Sequence, residues 1–158
     1  MSNLNRTPLI NRRLEFIVNE IKSPDPKYDQ SIIFTLRALS NFTTFGKDAG
    51  SFKAKILNKN ISVKAANLRL ILNDDKAWAA QTINEHPVPL RFMWGEWIKN
   101  ASITNADTVW SDLSKHTMIT VTKEEDAALR FLAKKTKEIG MERYRLAEIE
   151  LLDIKYID

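Results

Sequence analysis

Residues 55–69 read KILNKNISVKAANLR, and in this stretch two helical segments are separated by a short break. Ser62 is a favourable N-cap for a helix over 63–72, because its hydroxyl can accept a hydrogen bond from an amide of the first turn. The run 58–60 predicts a turn, since Asn tolerates the left-handed backbone region better than most residues.

Helical spacing of apolar residues dominates the rest of the sequence. Pro8 can start a helix that the two prolines of 23–26 end. A capping box, Thr122-Lys123-Glu124-Glu125, opens another helix, and Gly140 closes it. The further helices are predicted over 28–42, 52–57, 76–84 and 90–98 and from residue 104 or 105 to about 113.

The fold class predicted from this pattern is mainly α: one compact multi-helix domain over 1–158. Two segments have strand-like sequences. Residues 117–121 are β-branched, and residues 148–157 alternate with period two apart from one extra residue. We expect these two segments to form a small two-stranded β element, with a bulge at the extra residue.

Composition excludes several classes of protein. The chain has no cysteine, which excludes disulfides, thiolate nucleophiles and cysteine-ligated zinc. No apolar run approaches the roughly 18–20 residues that a membrane span needs, and charges interrupt the first apolar stretch, unlike a signal peptide. We therefore expect a cytoplasmic protein with no membrane association.

Charge is distributed unevenly along the chain. The basic N-terminal half, residues 1–66, has 11 Lys and Arg against 5 Asp and Glu, whereas the Trp-rich remainder has 13 against 15. The excess is greatest between Lys47 and Arg69, where Asp48 is the one acid. A basic segment of this kind favours a polyanionic partner, because its potential attracts phosphates.

The same segment has the order of a helix-turn-helix unit, with Asn60 at the turn, Ile61 after it and Ser62 as the cap. Lysines suit phosphates, and Asn and Arg suit base edges. The hypothesis is a small non-enzymatic nucleic-acid-binding protein, regulatory or accessory, with DNA as the expected partner and a homodimer as an expected state. Its predicted contact residues are Lys47, Lys53, Lys55, Lys59, Lys64, Asn67 and Arg69. The plainer interpretation is an α-hairpin with a solvated basic face.

A second hypothesis is a protein-binding adaptor or inhibitor. Four tryptophans, Trp78, Trp94, Trp97 and Trp110, lie within 33 residues, and such a face can anchor a partner. The competing interpretation places them in the core, and Trp94 and Trp97 are predicted to be buried.

Similar alternatives remain open for the phenylalanines and for one basic helix face. Phe42, Phe45 and Phe52 can stack on bases or fill the core. Arg130, Lys134 and Lys137 can contact phosphates or complement the helix dipole.

A third hypothesis is an enzyme, and the sequence gives it little support. Glu85-His86 lacks the second histidine of a helical zinc motif, and His116 follows a predicted helix C-terminus, where it serves structure. No glycine-rich phosphate loop is present. Asp74-Asp75 lies in a predicted turn, where adjacent acids are usually solvated. No catalytic residue, metal site or cofactor is predicted.

Overall fold

The helices begin and end at residues whose side chains or backbone satisfy the free groups of the helix termini. The computed structural model describes residues 6–136 and 139–152. In these ranges the elements are α1 (Pro8–Ile21), α2 (Gln30–Phe45), α3 (Ser51–Leu57), α4 (Val63–Leu72), α5 (Asp75–Ala80), β1 (Thr82–Glu85), α6 (Leu90–Lys99), α7 (Ala106–Lys115), β2 (Ile119–Thr122), α8 (Lys123–Thr136) and α9 (Met141–Leu146). The predicted mainly α class is confirmed.

Several caps lie where the sequence places them. Thr7 caps α1, whose first residue is Pro8, and Ser62 caps α4 by accepting from the amide of Ala65 at 3.0 Å. The helix α2 runs past the predicted end to Phe45, and it stops at Gly46 because that residue adopts a left-handed φ of 75°.

The chain divides into two compact units, each built from two separate stretches. The first comprises Met1–Asp48 and Pro89–Lys115. In it, α1 packs against α2, α6 and α7, and α2 also packs against α7. Its buried apolar side chains come from one face of each helix and include Leu14, Leu36, Trp97 and Leu113.

The second unit comprises Ala49–Val88 and His116–Asp158, and it contains the small sheet. β1 pairs antiparallel with β2 in the register Thr82↔Thr122 to Glu85↔Ile119. Two apolar clusters support this sheet. One is built around Ile61, Ala65, Trp78 and Ala79, and the other around Ile119, Val121, Leu129 and Tyr144.

The predicted strand pairing is therefore corrected. The segment predicted as strand 117–121 contributes to β2, but its partner is β1, which overlaps the end of the predicted helix 76–84. The helix stops early because residues 82–85 gain ladder hydrogen bonds with β2 that a further helical turn does not offer. In the segment 148–157, Leu151 makes one isolated antiparallel bridge to Ser62, and residues 153–157 lie outside the described ranges.

Residues 58–62, which connect α3 to α4, are extended and attached on both sides. Ile61 bridges Thr120 in parallel, and the amide of Ser62 donates to the carbonyl of Thr120 at 2.9 Å. On the other side, the amide of Leu152 donates to the carbonyl of Ile61 at 2.9 Å. The connector is thus bridged to β2 on one side and to residues 151–152 on the other.

Membrane-spanning helices are not found in the described ranges, where every helix is too short or too polar to cross a bilayer.

Candidate nucleic-acid interface

The helix-turn-helix expectation is wrong in its geometry. Asn60 is not left-handed, because Asn73 and Glu148 are the only non-glycine residues with positive φ among those described. The connector is extended, and α3 packs on α5 and β1 whereas α4 packs on α5 and β2. The pairing of Ile61 and Ser62 with Thr120 keeps the connector extended, so α3 and α4 are not joined by a tight turn.

The seven predicted contact residues are divided between the two units. Lys47 belongs to the first unit, and the other six belong to the second. Lys53, Lys59, Lys64 and Asn67 are exposed on α3, the connector and α4. Among residues 6–136 and 139–152, no carboxylate or carbonyl is bonded to the ammonium groups of these three lysines. They remain available to an anionic partner.

Lys55 has a structural role instead. Its ammonium group donates to the carbonyl of Ala79 at 2.6 Å and to that of Thr82 at 2.7 Å, and so ties the end of α5 to the start of β1. Partial burial lowers the pKa of Lys55 below its ordinary value, and the charge of Lys123 lowers it further. The ammonium group of Lys55 therefore makes its hydrogen bonds within the protein.

Arg69 is also committed to the fold. Its Nε donates to Asp75 at 2.9 Å, and its guanidinium lies 4.8 Å from the ring centroid of the buried Trp78. This arrangement fastens α4 to α5 through an ion pair and a cation–π contact. Asp74, the neighbouring acid, caps α5 by accepting from two backbone amides. The acid pair 74–75 is thereby accounted for by local structure.

A groove lies between α4 and the start of α8. Its volume is about 350 Å³. Its walls are formed by Lys64, Asn67, Leu68, Ile71, Gln81, Thr122, Lys123 and Glu124. The α4 residues have the spacing i, i+3, i+4, i+7, which places them on one helix face.

The exposed charged residues that line this groove are called its rim here, and the half-buried Leu68 is called its base. Lys64 and Lys123 supply positive charge, and Glu124 is the one acid. The amide side chains of Asn67 and Gln81 have no hydrogen-bond partner among the residues that the structure describes. Leu68 packs onto the core beneath, so the base of the groove is fixed by the fold.

A buried hydrogen-bond network holds the two walls of the groove in place. The hydroxyl of Ser62 donates to Oε2 of Glu125 at 2.6 Å while it accepts from Ala65. The same carboxylate oxygen accepts from the amide of Thr122 at 2.9 Å. The predicted capping box is confirmed, since the amide of Glu125 also donates to the Thr122 hydroxyl at 3.1 Å.

Part of the groove was not predicted. The helical spacing of Lys64, Asn67, Leu68 and Ile71 was readable in the sequence, but Gln81 and Lys123 reach the groove only through the β1–β2 pairing. Lys123 follows directly after β2, and its amide donates to the carbonyl of Gln81 at 2.9 Å. Because the predicted partner of β2 was wrong, the sequence did not predict that Gln81 and Lys123 line a groove together with α4.

The tryptophans do not form an exposed face. Trp78, Trp94 and Trp97 are buried, as predicted for the latter two, and Trp78 lies in a different unit from the others. Trp97 donates its indole hydrogen to Asp112 at 2.8 Å.

Phe42 and Phe45 are partly buried in the first unit, whereas Phe52 on α3 is exposed. Arg130 pairs with Asp126, Lys134 is exposed, and Lys137 lies outside the described residues.

A buried polar cluster that the sequence did not indicate lies at the end of β1. The carboxylate of Glu85 pairs with Arg143 and accepts the hydroxyl hydrogen of Tyr144. Burial raises the pKa of Glu85, and burial together with the Glu85 charge raises the pKa of Tyr144 well above its ordinary value. Arg143 also donates to the carbonyl of Pro87 at 3.1 Å. This cluster anchors α9 to the sheet.

His86, His116 and Asp74 do not line the groove. Within the described ranges, no group of three His, Asp or Glu side chains is arranged to hold a metal ion.

Comparison with known proteins gives no relative: no protein-family model, no curated protein and no solved structure matches this chain significantly.

Proposed function

We propose that the protein binds nucleic acid through the exposed basic residues of its second unit. The observation that carries this proposal is the charge of residues 49–73, which include five Lys and Arg and no acid before Asp74. Three of the five, Lys53, Lys59 and Lys64, are exposed with unbonded ammonium groups in the described structure. Lysines in this state can neutralise backbone phosphates and release condensed counterions.

The contact set differs from the one read off the sequence. Lys53, Lys59 and Lys64 contact phosphates, Lys123 joins them across the groove, and Lys55 and Arg69 maintain the fold. A duplex-reading recognition helix is not part of the proposal, because the connector between α3 and α4 is extended. A non-enzymatic accessory or regulatory role is the biological setting that we propose for this binding.

A gel-shift or filter titration of the full chain tests this proposal. We expect binding of mixed-sequence oligonucleotides that weakens by orders of magnitude between about 50 and about 200 mM salt. The variant Lys53→Gln/Lys59→Gln/Lys64→Gln is compared with the charge-matched control Lys22→Gln/Lys99→Gln/Lys115→Gln, whose three lysines are exposed in the first unit. Loss of affinity in the first variant alone supports the proposal. Equal effects, or no binding at low salt, would overturn it.

A further inference from the structure

The groove between α4 and α8 has the size and chemistry of a site for one nucleotide. Its volume of about 350 Å³ lies at the small end of the range typical of small-molecule sites. A duplex cannot enter a groove of this size, whereas a single unstacked nucleotide can. We infer that this groove seats one nucleotide of a single-stranded nucleic acid. This inference rests on the proposed function and names the class of substrate.

The groove offers a partner for each part of a nucleotide. Lys64 and Lys123 lie on the rim, where two ammonium groups attract a phosphate. Leu68 and Ile71 provide apolar surface for the face of a base. Asn67 and Gln81 each offer an amide donor and an acceptor for a base edge, and neither amide is used within the described fold.

Glu124, unlike the two lysines, repels a phosphate. Its carboxylate belongs to the same rim, so we expect the phosphate to lie nearer Lys64 than Glu124. The two lysines outnumber this acid, and the net charge of the rim remains positive. An acidic peptide is the competing occupant that the same charge admits.

Two neighbouring residues provide a matched pair of variants. Leu70 is 80% exposed and Ile71 is 78% exposed, so Glu at either position places the same charge on the same helix without disturbing the core. Helical geometry points them in different directions, and only Ile71 lines the groove. Leu70→Glu therefore controls for charge, and Ile71→Glu additionally blocks the groove.

The first experiment measures the affinity of the chain for a labelled single strand of about ten nucleotides and for a duplex of the same length. We expect tighter binding of the single strand. We also expect Ile71→Glu to weaken single-strand binding by about tenfold or more, because the added carboxylate occupies the groove, and Leu70→Glu to weaken it much less. If the two variants weaken binding equally, or the duplex binds as tightly as the single strand, the inference is wrong.

The second experiment observes the groove itself. Adenosine monophosphate is titrated into the labelled protein, and the side-chain amide resonances of Asn67 and Gln81 are followed by NMR. We expect both to shift, and to stop shifting in Ile71→Glu. If oligonucleotides bind but adenosine monophosphate leaves these resonances unmoved, the groove inference fails and the proposed function stands. If no oligonucleotide binds, both fail. If a glutamate-rich peptide moves these resonances and adenosine monophosphate does not, the groove is a protein-binding site and the inference is overturned.

Discussion

The hydroxyl of Ser62 donates to the carboxylate of Glu125 at 2.6 Å, and this one bond joins the N-terminal caps of two helices. Ser62 caps α4, and Glu125 belongs to the capping box of α8. Both side chains are buried. The groove walls on α4 and α8 are therefore fixed relative to each other by a hydrogen bond to a charged group, which is stronger than one between neutral groups.

Removal of the Ser62 hydroxyl is expected to cost more stability than removal of an ordinary cap. A cap alone contributes about 1 kcal/mol, and the bond to a buried carboxylate adds roughly 1.5–3 kcal/mol. Ser62→Ala is therefore expected to lower the free energy of unfolding by about 3 kcal/mol. Thr7→Ala, which removes the exposed cap of α1, is the control and is expected to cost about 1 kcal/mol. Denaturant titration measures both, and equal losses would contradict the coupling of the two caps.

Glu85, Arg143 and Tyr144 are expected to behave as one energetic unit. Arg143→Met leaves the buried carboxylate of Glu85 without its counter-charge, and such a loss costs about 3–5 kcal/mol. Adding Glu85→Gln to that variant removes the unpaired charge. We expect the double variant to be more stable than Arg143→Met alone, as measured by denaturant titration. A double variant at least as unstable as the single one would show that Glu85 does not depend on Arg143.

Tyr144 is expected to make stability fall at alkaline pH. Its pKa is raised in the folded state, so the unfolded chain loses the phenolic proton first. The contribution of Tyr144 is complete below the unfolded pKa of about 10 and falls as the pH rises above it. Between pH 9 and 11 the wild type is expected to lose on the order of 1 kcal/mol more than Tyr144→Phe. Parallel stability curves for the two proteins over this interval would contradict the raised pKa.

Glu124→Gln is expected to strengthen nucleic-acid binding. A unit charge about 6 Å from a phosphate in water is worth roughly 0.7 kcal/mol, so removing this acid from the rim increases affinity by about threefold at low salt. Glu15→Gln, an exposed change in the first unit, is the control. The gain is measured by titration of a labelled single strand. A loss of affinity in Glu124→Gln would mean that the carboxylate contacts the nucleic acid directly.

Local features of the fold were predictable because they depend on neighbours in sequence. The Ser62 cap, the capping box at Thr122 and the end of α1 before Pro24 each follow from a few adjacent residues. The β1–β2 pairing was not predictable in this way. Residues 82–84 continue a helical pattern, and only contact with a segment about 36 residues away makes 82–85 a strand.

The site was predictable to the same limited extent. Charge along the sequence identified the basic segment, but charge does not reveal which cations the fold itself uses. Lys55 bonds to carbonyls at the end of α5 and the start of β1, and Arg69 stacks on a tryptophan nine residues later. Lys123 follows the cap residue Thr122 in the sequence, and its position in the same groove as Lys64 depends on tertiary contacts.

The salt dependence of binding tests the central claim most directly. Each lysine–phosphate contact contributes about 0.7–0.9 to the slope of log affinity against log salt concentration. The variant Lys53→Gln/Lys59→Gln/Lys64→Gln is therefore expected to have a slope shallower by about 2 than the wild type, with weaker binding at low salt. An unchanged slope and affinity in this variant would contradict the proposal that these lysines bind nucleic acid.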